Sequence, residues 1–137
     1  MKALVVVPTR ELCVQVAEDL VLAASNRSTK IAAIYGGKAY EGQVEELKAG
    51  AQVVVGTPGR LLDLASQRLL SLKAVKVMVL DEADKMMDMG FMPQIRKILE
   101  VIPTKRQNLL FSATFPDKVE SLSAEFLEFP LRVEVSP

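Results

Sequence analysis

The chain has 137 residues, half of them apolar and a quarter charged, which is typical of one globular domain and not of a disordered chain. Lysine plus arginine equals aspartate plus glutamate, 17 each, so no overall field attracts nucleic acid, and any such binding must come from local donors. Histidine is absent and Cys13 is the only cysteine, which excludes disulfides, Cys/His metal sites and Ser-His-Asp or Cys-His catalysis.

Nothing in the sequence predicts membrane insertion or export. The apolar run at residues 3–7 ends at Pro8, too early for the apolar region of a signal peptide. No run approaches the roughly 20 apolar residues that a membrane-spanning helix needs. Because the single cysteine also fits a reducing compartment, we expect a soluble, cytoplasmic protein without a membrane partner.

Short apolar runs alternate with amphipathic stretches along the chain. Strands are predicted at residues 3–7, 31–35, 52–56, 76–80, 107–111 and 131–135. Helices are predicted at residues 11–24, 40–49, 57–66, 83–101 and 116–126, and Gly90 and Pro93 are expected to break the fourth into two. The alternation predicts an α/β fold, a parallel sheet with helices on both faces.

The first predicted helix has a recognisable apolar side. Leu12, Val16, Leu20 and Ala23 recur at helical spacing and are expected to face the sheet. Cys13 lies in the same helix, and we interpret it as a small packed hydrophobe and not as a reactive thiol.

The segment Asp81-Glu82-Ala83-Asp84 directly follows an apolar run that reads as a buried strand. Open α/β sheets bind ligands outside the carboxyl ends of their strands. Asp81 could there hold Mg²⁺, directly or through water, and Glu82 could orient or deprotonate an attacking water. A simpler interpretation remains open, in which both carboxylates only complement the dipole of the following helix.

Four further strand ends carry polar or glycine residues: Pro8-Thr9-Arg10-Glu11, Gly36-Gly37, Thr57-Pro58-Gly59-Arg60 and Ser112-Ala113-Thr114. Each alone could be a turn or a helix cap, and Thr57 in particular is a good N-cap residue before proline. A parallel sheet places all of them on one edge, which favours a shared site. Helix N-termini and glycine turns offer N–H groups to phosphates, and arginines add bidentate contacts that hold a nucleic-acid backbone without reading bases.

Together the five segments resemble, in order, motifs Ia, GG, Ib, II and III of the first RecA-like domain of the DEAD-box ATP-dependent RNA helicases. Met89-Gly90-Phe91 also resembles the family, while Cys13 stands where alanine is usual. The resemblance implies that Asp81 holds Mg²⁺ through water and that Glu82 activates the water attacking ATP. It implies that Asp84, Ser112 and Thr114 couple the ATP site to domain closure. The residues implied to grip RNA are Thr9, Arg10, Gly37, Thr57, Gly59 and Arg60.

The same resemblance implies that residues 1–137 are a partial N-terminal RecA-like domain of the P-loop NTPase class. No G-x-x-x-x-G-K-[ST] phosphate loop occurs in the sequence, and the Q motif is also missing. ATP, Mg²⁺ and a second RecA-like domain would complete the parent enzyme, and this chain alone is expected to be inactive and to bind neither ATP nor Mg²⁺ tightly. Without a phosphate-loop strand, residues 107–111 would form an open edge, so self-association is expected unless residues 131–135 move inward.

Two alternatives from other classes remain open on the sequence alone. The chain could be a non-enzymatic module, derived from such a domain, that binds RNA or a partner. It could also be a doubly wound phosphate-responsive domain in which Asp81 binds Mg²⁺ without hydrolysis.

Overall fold

The computed structural model describes residues 1–37 and 39–127, which form five strands and six helices. The strands are β1 (Ala3–Val6), β2 (Ile31–Ile34), β3 (Val53–Gly56), β4 (Val77–Leu80) and β5 (Gln107–Leu110). The helices are α1 (Arg10–Ala23), α2 (Glu41–Lys48), α3 (Pro58–Ser66), α4 (Ala83–Asp88), α5 (Met92–Val101) and α6 (Asp117–Phe126). The predicted order of strands and helices is confirmed through residue 127. The predicted strand at residues 131–135 lies outside the described residues.

The five strands form one sheet in the order β2-β3-β1-β4-β5, and every neighbouring pair is parallel. The register aligns the strand ends. Ile34 lies beside Gly56, Gly56 beside Val6, Val6 beside Leu80, and Leu80 beside Leu110. All five strands therefore deliver the chain to the same edge of the sheet at the same level.

The sheet is covered on both faces, as predicted, but unequally. Alternate strand residues such as Leu4 and Val6 pack in a core with residues of α2 through α6. Val5 and Val7 point to the opposite face, where they pack with residues of α1. Among the described helices only α1 contributes to this smaller core. The larger core therefore lies on one face of the sheet.

The side of α1 that is most buried differs from the predicted one. Cys13 and Ala17 are buried, whereas Leu12, Val16 and Leu20 are only partly buried and Ala23 is exposed. Small residues on the central line of the helix let its backbone approach the sheet, and the larger side chains then flank that line. The Cys13 Sγ atom donates to the Val55 carbonyl oxygen at 3.2 Å. Burial raises the pKa of this thiol to about 11, which supports its interpretation as a packed, unreactive group.

The break between α4 and α5 has a physical cause in Gly90. Its φ of +76° is readily adopted by glycine and ends the first helix. Pro93 lies in the first turn of α5, so it helps to start that helix and does not interrupt it. Of the helices in the described ranges, none is long and apolar enough to span a membrane.

Candidate functional site

All five polar segments that the sequence singled out lie at the carboxyl edge of the sheet. Across the sheet, residues 36–37 follow β2, residues 57–60 follow β3 and residues 8–11 follow β1. Residues 81–84 then follow β4, and residues 112–114 follow β5. We call residues 8–11, 35–37 and 57–60 the basic half of the edge, and residues 81–84 and 112–114 the acidic half.

The acidic half is held together by the Asp84 side chain. Its Oδ2 atom accepts hydrogen bonds from Thr114 Oγ1 at 2.8 Å and from the Thr114 backbone N–H at 3.2 Å. Ser112 Oγ accepts from the Asp84 N–H at 3.1 Å and donates to the Thr114 carbonyl oxygen. The three residues that the resemblance assigned to coupling are therefore in direct contact, although they lie 28 and 30 positions apart.

These hydrogen bonds decide the protonation of Asp84. Burial by itself would raise the pKa of this carboxyl, but the hydrogen bonds that its oxygen atoms accept from Thr114 and from the Lys85 N–H outweigh burial, and the pKa is lowered. Asp84 is therefore ionised at neutral pH and ties the β4 exit to the β5 exit as a charged acceptor.

Asp81 and Glu82 occupy the turn between β4 and α4. Asp81 Oδ1 accepts from the Glu82 backbone N–H at 2.9 Å. Burial raises the pKa of Asp81, helped by the neighbouring Glu82 charge, although its bond from the Glu82 N–H acts in the opposite direction. Glu82 has a left-handed backbone, φ 52° and ψ 51°, which is rare for a residue with a Cβ atom. Its Oε1 atom lies 2.9 Å from Lys85 Nζ, so the carboxylate is ion-paired at the start of α4.

A Mg²⁺ ion is the metal that the resemblance implies for this turn. No group of three or more His, Cys, Asp or Glu side chains within residues 1–37 and 39–127 is arranged to hold a metal ion. Mg²⁺ does not require such a cage, because it keeps several waters and is bound through one or two carboxylates plus substrate phosphates. The single carboxylate of Asp81 fits that partial donor set. Its raised pKa also fits, because a cation nearby would offset the cost of burying its charge.

In the basic half, Arg10 packs on the turn that follows β2. Its guanidinium carbon lies 5.9 Å from the centre of the Tyr35 ring, a cation–π distance. A Cβ atom added to Gly37, whose φ is +81°, would lie 3.4 Å from Arg10 Nη1. Thr9 caps α1, since its Oγ1 atom accepts from the Leu12 N–H at 3.1 Å. The structure thus brings Arg10 beside both Tyr35 and Gly37, and Thr9 precedes Arg10 as the N-cap of α1.

Arg60 makes a matching arrangement with α2. Its guanidinium carbon lies 6.0 Å from the centre of the Tyr40 ring, and its Nη1 atom donates to Gln43 Oε1 at 3.2 Å. Thr57 holds the predicted N-cap position of α3, but its side chain makes no cap hydrogen bond, contrary to the expectation from the sequence. Gly59 is exposed, with open space where a side chain would stand.

Three residues of this edge were missed by the sequence reasoning: Tyr35, Tyr40 and Gln43. Gln43 is buried and donates from Nε2 to the Tyr35 carbonyl oxygen at 3.0 Å. Its signal was available, because it adjoins Val44 on the side of α2 that the spacing turns inward, where an amide is unusual. The tyrosines were visible as the aromatic residues that flank Gly36-Gly37.

The chain is similar to known proteins over almost its whole length. A family model described as DEAD/DEAH box helicase matches residues 1–122. The chain is 44% identical over 136 residues to the DEAD-box ATP-dependent RNA helicase CshA of Streptococcus pneumoniae, covering 99% of this chain and 26% of that protein. It is 47% identical over 138 residues to the ATP-dependent RNA helicase RhlB of Idiomarina loihiensis, covering 99% of this chain and 32% of that protein.

Solved structures give the same result for the fold. A DEAD box protein from Methanococcus jannaschii superposes with a TM-score of 0.89 at 44% identity, covering 94% of this chain and 35% of that chain. A hypothetical ATP-dependent RNA helicase from Sulfolobus tokodaii superposes with a TM-score of 0.88 at 41% identity, covering 94% and 39%. The RecA-like fold inferred from the motifs is confirmed. The chain spans about a quarter of the length of the CshA relative and about a third of the length of the RhlB relative.

Proposed function

Because this chain belongs to the DEAD/DEAH box helicase family, we propose that it forms the part of an ATP-dependent RNA helicase that holds an RNA backbone and couples ATP hydrolysis to local duplex unwinding. The observation that carries the proposal is the division of one sheet edge into a basic half and an acidic half. This division supports the proposal, because phosphate binding and carboxylate chemistry would then lie side by side on strands of one sheet.

The basic half supplies what a single RNA strand requires. Arg10 and Arg60 bring two guanidinium groups to the edge, and each is supported by a tyrosine ring. Stacking against a ring leaves the N–H donors of a guanidinium in its own plane, where they match phosphate oxygens. Thr9, Gly37 and Gly59 would add backbone N–H groups or space for close approach, whereas Thr57, whose N–H is bonded to the Ile34 carbonyl oxygen at 3.0 Å, would contribute its hydroxyl group. Contacts of this kind grip the sugar-phosphate backbone and are independent of base sequence.

The acidic half supplies the groups for phosphoryl transfer to water. Bound Mg²⁺ would neutralise charge on the ATP phosphates, and Asp81 is the residue that would hold it through water. Glu82 would accept a proton from the attacking water as general base. The Glu82 carboxylate pairs with Lys85 through its Oε1 atom, so its other oxygen atom would be the one to accept the proton while this ion pair persists.

The contacts of Asp84 carry the coupling. Thr114 and Ser112 join it across the sheet, so a displacement of the β4 exit when ATP is bound or cleaved also moves the β5 exit. A second RecA-like domain in the complete protein would receive that displacement. Without a phosphate loop in the sequence, tight ATP and Mg²⁺ binding would belong to the complete protein and not to these residues alone.

The experiment that tests the proposal restores a full-length context. Residues 1–137 replace the matching segment of the RhlB relative, and ATP hydrolysis is measured with and without single-stranded RNA. We expect RNA-stimulated hydrolysis that falls about 10²-fold in Glu82→Gln, the scale of a lost general base. Glu100→Gln, the same substitution at an exposed position of α5, is the control and should keep the rate of hydrolysis unchanged. Wild-type turnover in Glu82→Gln would reject its role, and an inactive chimera that still binds RNA would favour a non-enzymatic module.

A further inference from the structure

Among the polar and charged residues in the described part of the chain, Gln43 is the one that is buried, with 4% of its surface exposed. Its neighbours on the outer side of α2, such as Glu45 and Glu46, are exposed. A buried amide is costly unless its donor and acceptor are both satisfied. The two hydrogen bonds that the Gln43 amide makes offset the cost of its burial.

The two hydrogen bonds of Gln43 join the two arginine sites of the basic half. Its Nε2 atom donates to the Tyr35 carbonyl at 3.0 Å, and its Oε1 atom accepts from Arg60 at 3.2 Å. Tyr35 is the residue whose ring supports Arg10. One amide thus connects the turn after β2, whose Tyr35 ring supports Arg10, with the first turn of α3, which carries Arg60.

We propose that Gln43 is a positioning residue that fixes the Arg60 guanidinium relative to Arg10, so that both meet phosphates of one RNA strand; this rests on the RNA-binding function proposed above. A long arginine side chain loses rotamer freedom when it binds a phosphate. Gln43 restricts Arg60 before RNA binds. The Gln43 amide is itself bonded to the backbone carbonyl of Tyr35, the residue whose ring supports Arg10.

Only glutamine has the chemistry that this position requires. The Tyr35 carbonyl needs a donor and Arg60 needs an acceptor, and the glutamine amide offers both at the end of a side chain of this length. Glutamate would keep the acceptor for Arg60 but would set a carboxylate against the Tyr35 carbonyl. Methionine would fill the same volume and make neither bond.

The test measures the affinity of this chain for a fluorescent uridine decamer at low salt. Gln43→Met should weaken binding about 3- to 10-fold in the wild-type background, because Arg60 loses its hydrogen bond to the amide that also bonds the Tyr35 carbonyl. In an Arg60→Ala background the same substitution should change affinity less than about 2-fold, because its effect passes through Arg60. Gln67→Met, which removes an exposed amide bonded to Asp63, is the matched control and should leave affinity unchanged.

A second variant keeps the inference testable if Gln43→Met fails to fold. Gln43→Glu is nearly isosteric, and its carboxylate would neutralise Arg60. We expect it to weaken binding about as much as Arg60→Ala, to flatten the salt dependence by about one charge, and to add little in the Arg60→Ala background. A residue that only stabilises the fold would lower thermal stability and leave the salt dependence of RNA binding unchanged.

The outcomes separate the two proposals. If the chain does not bind the decamer, or Arg60→Ala has no effect, the RNA-binding function itself is rejected. If Arg60→Ala weakens binding while the Gln43 substitutions do not, or if their effects add fully to that of Arg60→Ala, the positioning role is overturned and the RNA function stands.

Discussion

The basic and acidic halves of the sheet edge hold their charges in different ways. In the basic half, the two guanidinium groups are supported by tyrosine faces and by one amide. In the acidic half, Asp84 is held by a hydroxyl and by two backbone N–H groups. A ring contact itself uses none of the N–H donors of a guanidinium, whereas three hydrogen bonds within the protein use most of the acceptor capacity of Asp84. The difference fits the roles proposed above, RNA binding for the basic half and coupling for Asp84.

The halves also differ in where the backbone takes a left-handed conformation. In the basic half it occurs at Gly37, φ +81°, where glycine adopts it without strain. In the acidic half it occurs at Glu82, φ 52°, where a Cβ atom makes it cost about 1–2 kcal/mol. Such strain persists only where the surrounding structure imposes it, and it clusters at functional sites. The acidic half therefore stores strain at the residue proposed to be its general base.

The largest effect on stability is expected at Gly56, the last residue of β3. An added Cβ atom would lie 2.5 Å from Leu61 Cδ2 and 3.0 Å from the Ile34 carbonyl oxygen. Leu61 is fully buried and cannot swing away. Gly56→Ala should lower the free energy of unfolding by about 1–3 kcal/mol, measured by urea denaturation. Gly59→Ala, where the space is open, is the control, and an equal loss there would show that crowding at Leu61 is not the cause.

The next effect tests the backbone difference between the halves. In Gly37→Ala the added Cβ atom makes only an ordinary contact with Arg10 Nη1, but it stands on a residue with a left-handed backbone. The substitution should therefore cost about 1–2 kcal/mol of unfolding free energy. Its neighbour Gly36 has neither a left-handed φ nor a nearby atom, so Gly36→Ala should be close to neutral. If the two variants were equally stable in the same denaturation experiment, the left-handed backbone at position 37 would not be a reason for requiring glycine there.

A smaller effect is expected for the Asp84–Thr114 bond of the acidic half. Thr114→Val removes the hydroxyl donor and keeps the backbone donor, and should cost about 1 kcal/mol at neutral pH because the acceptor is charged. The pKa of Asp84 is lowered in the folded state, so its stabilisation is present above the unfolded value near 3.9 and is lost as pH falls through the folded pKa.

The measurement for Thr114→Val is the difference in unfolding free energy from wild type at pH 7 and at pH 3. The difference should shrink at the lower pH, and added salt should reduce it only partly. A difference that is the same at both values would mean that Asp84 is not the charged partner of Thr114.

The sequence predicted the edge better than it predicted the contacts on it. Because parallel strands end level, five segments that are distant in the sequence could be assigned to one place. The grouping of Asp84 with Ser112 and Thr114 came from the resemblance to the family. The Gln43 bridge could not be found this way, since its partners lie 8 and 17 positions away on other elements, and only packing decides that an inward amide reaches both. Likewise, spacing indicated an apolar side for α1 but not that Cys13 and Ala17 form its closest line of approach.

The smallest effect concerns Asp81 and has the opposite sign to that of Asp84. Burial raises the pKa of Asp81, so folding favours its protonated form. The corresponding stability is present below the unfolded pKa near 3.9 and is lost as pH rises through the folded value. Asp81→Asn has no charge to bury and can still accept from the Glu82 N–H. It should therefore be slightly more stable than wild type at pH 7 and equal to it at pH 3, measured by thermal unfolding without Mg²⁺. A less stable variant at pH 7 would show that the ionised carboxylate is favourably held in the ligand-free fold, and would remove burial as an argument for the proposed Mg²⁺ site.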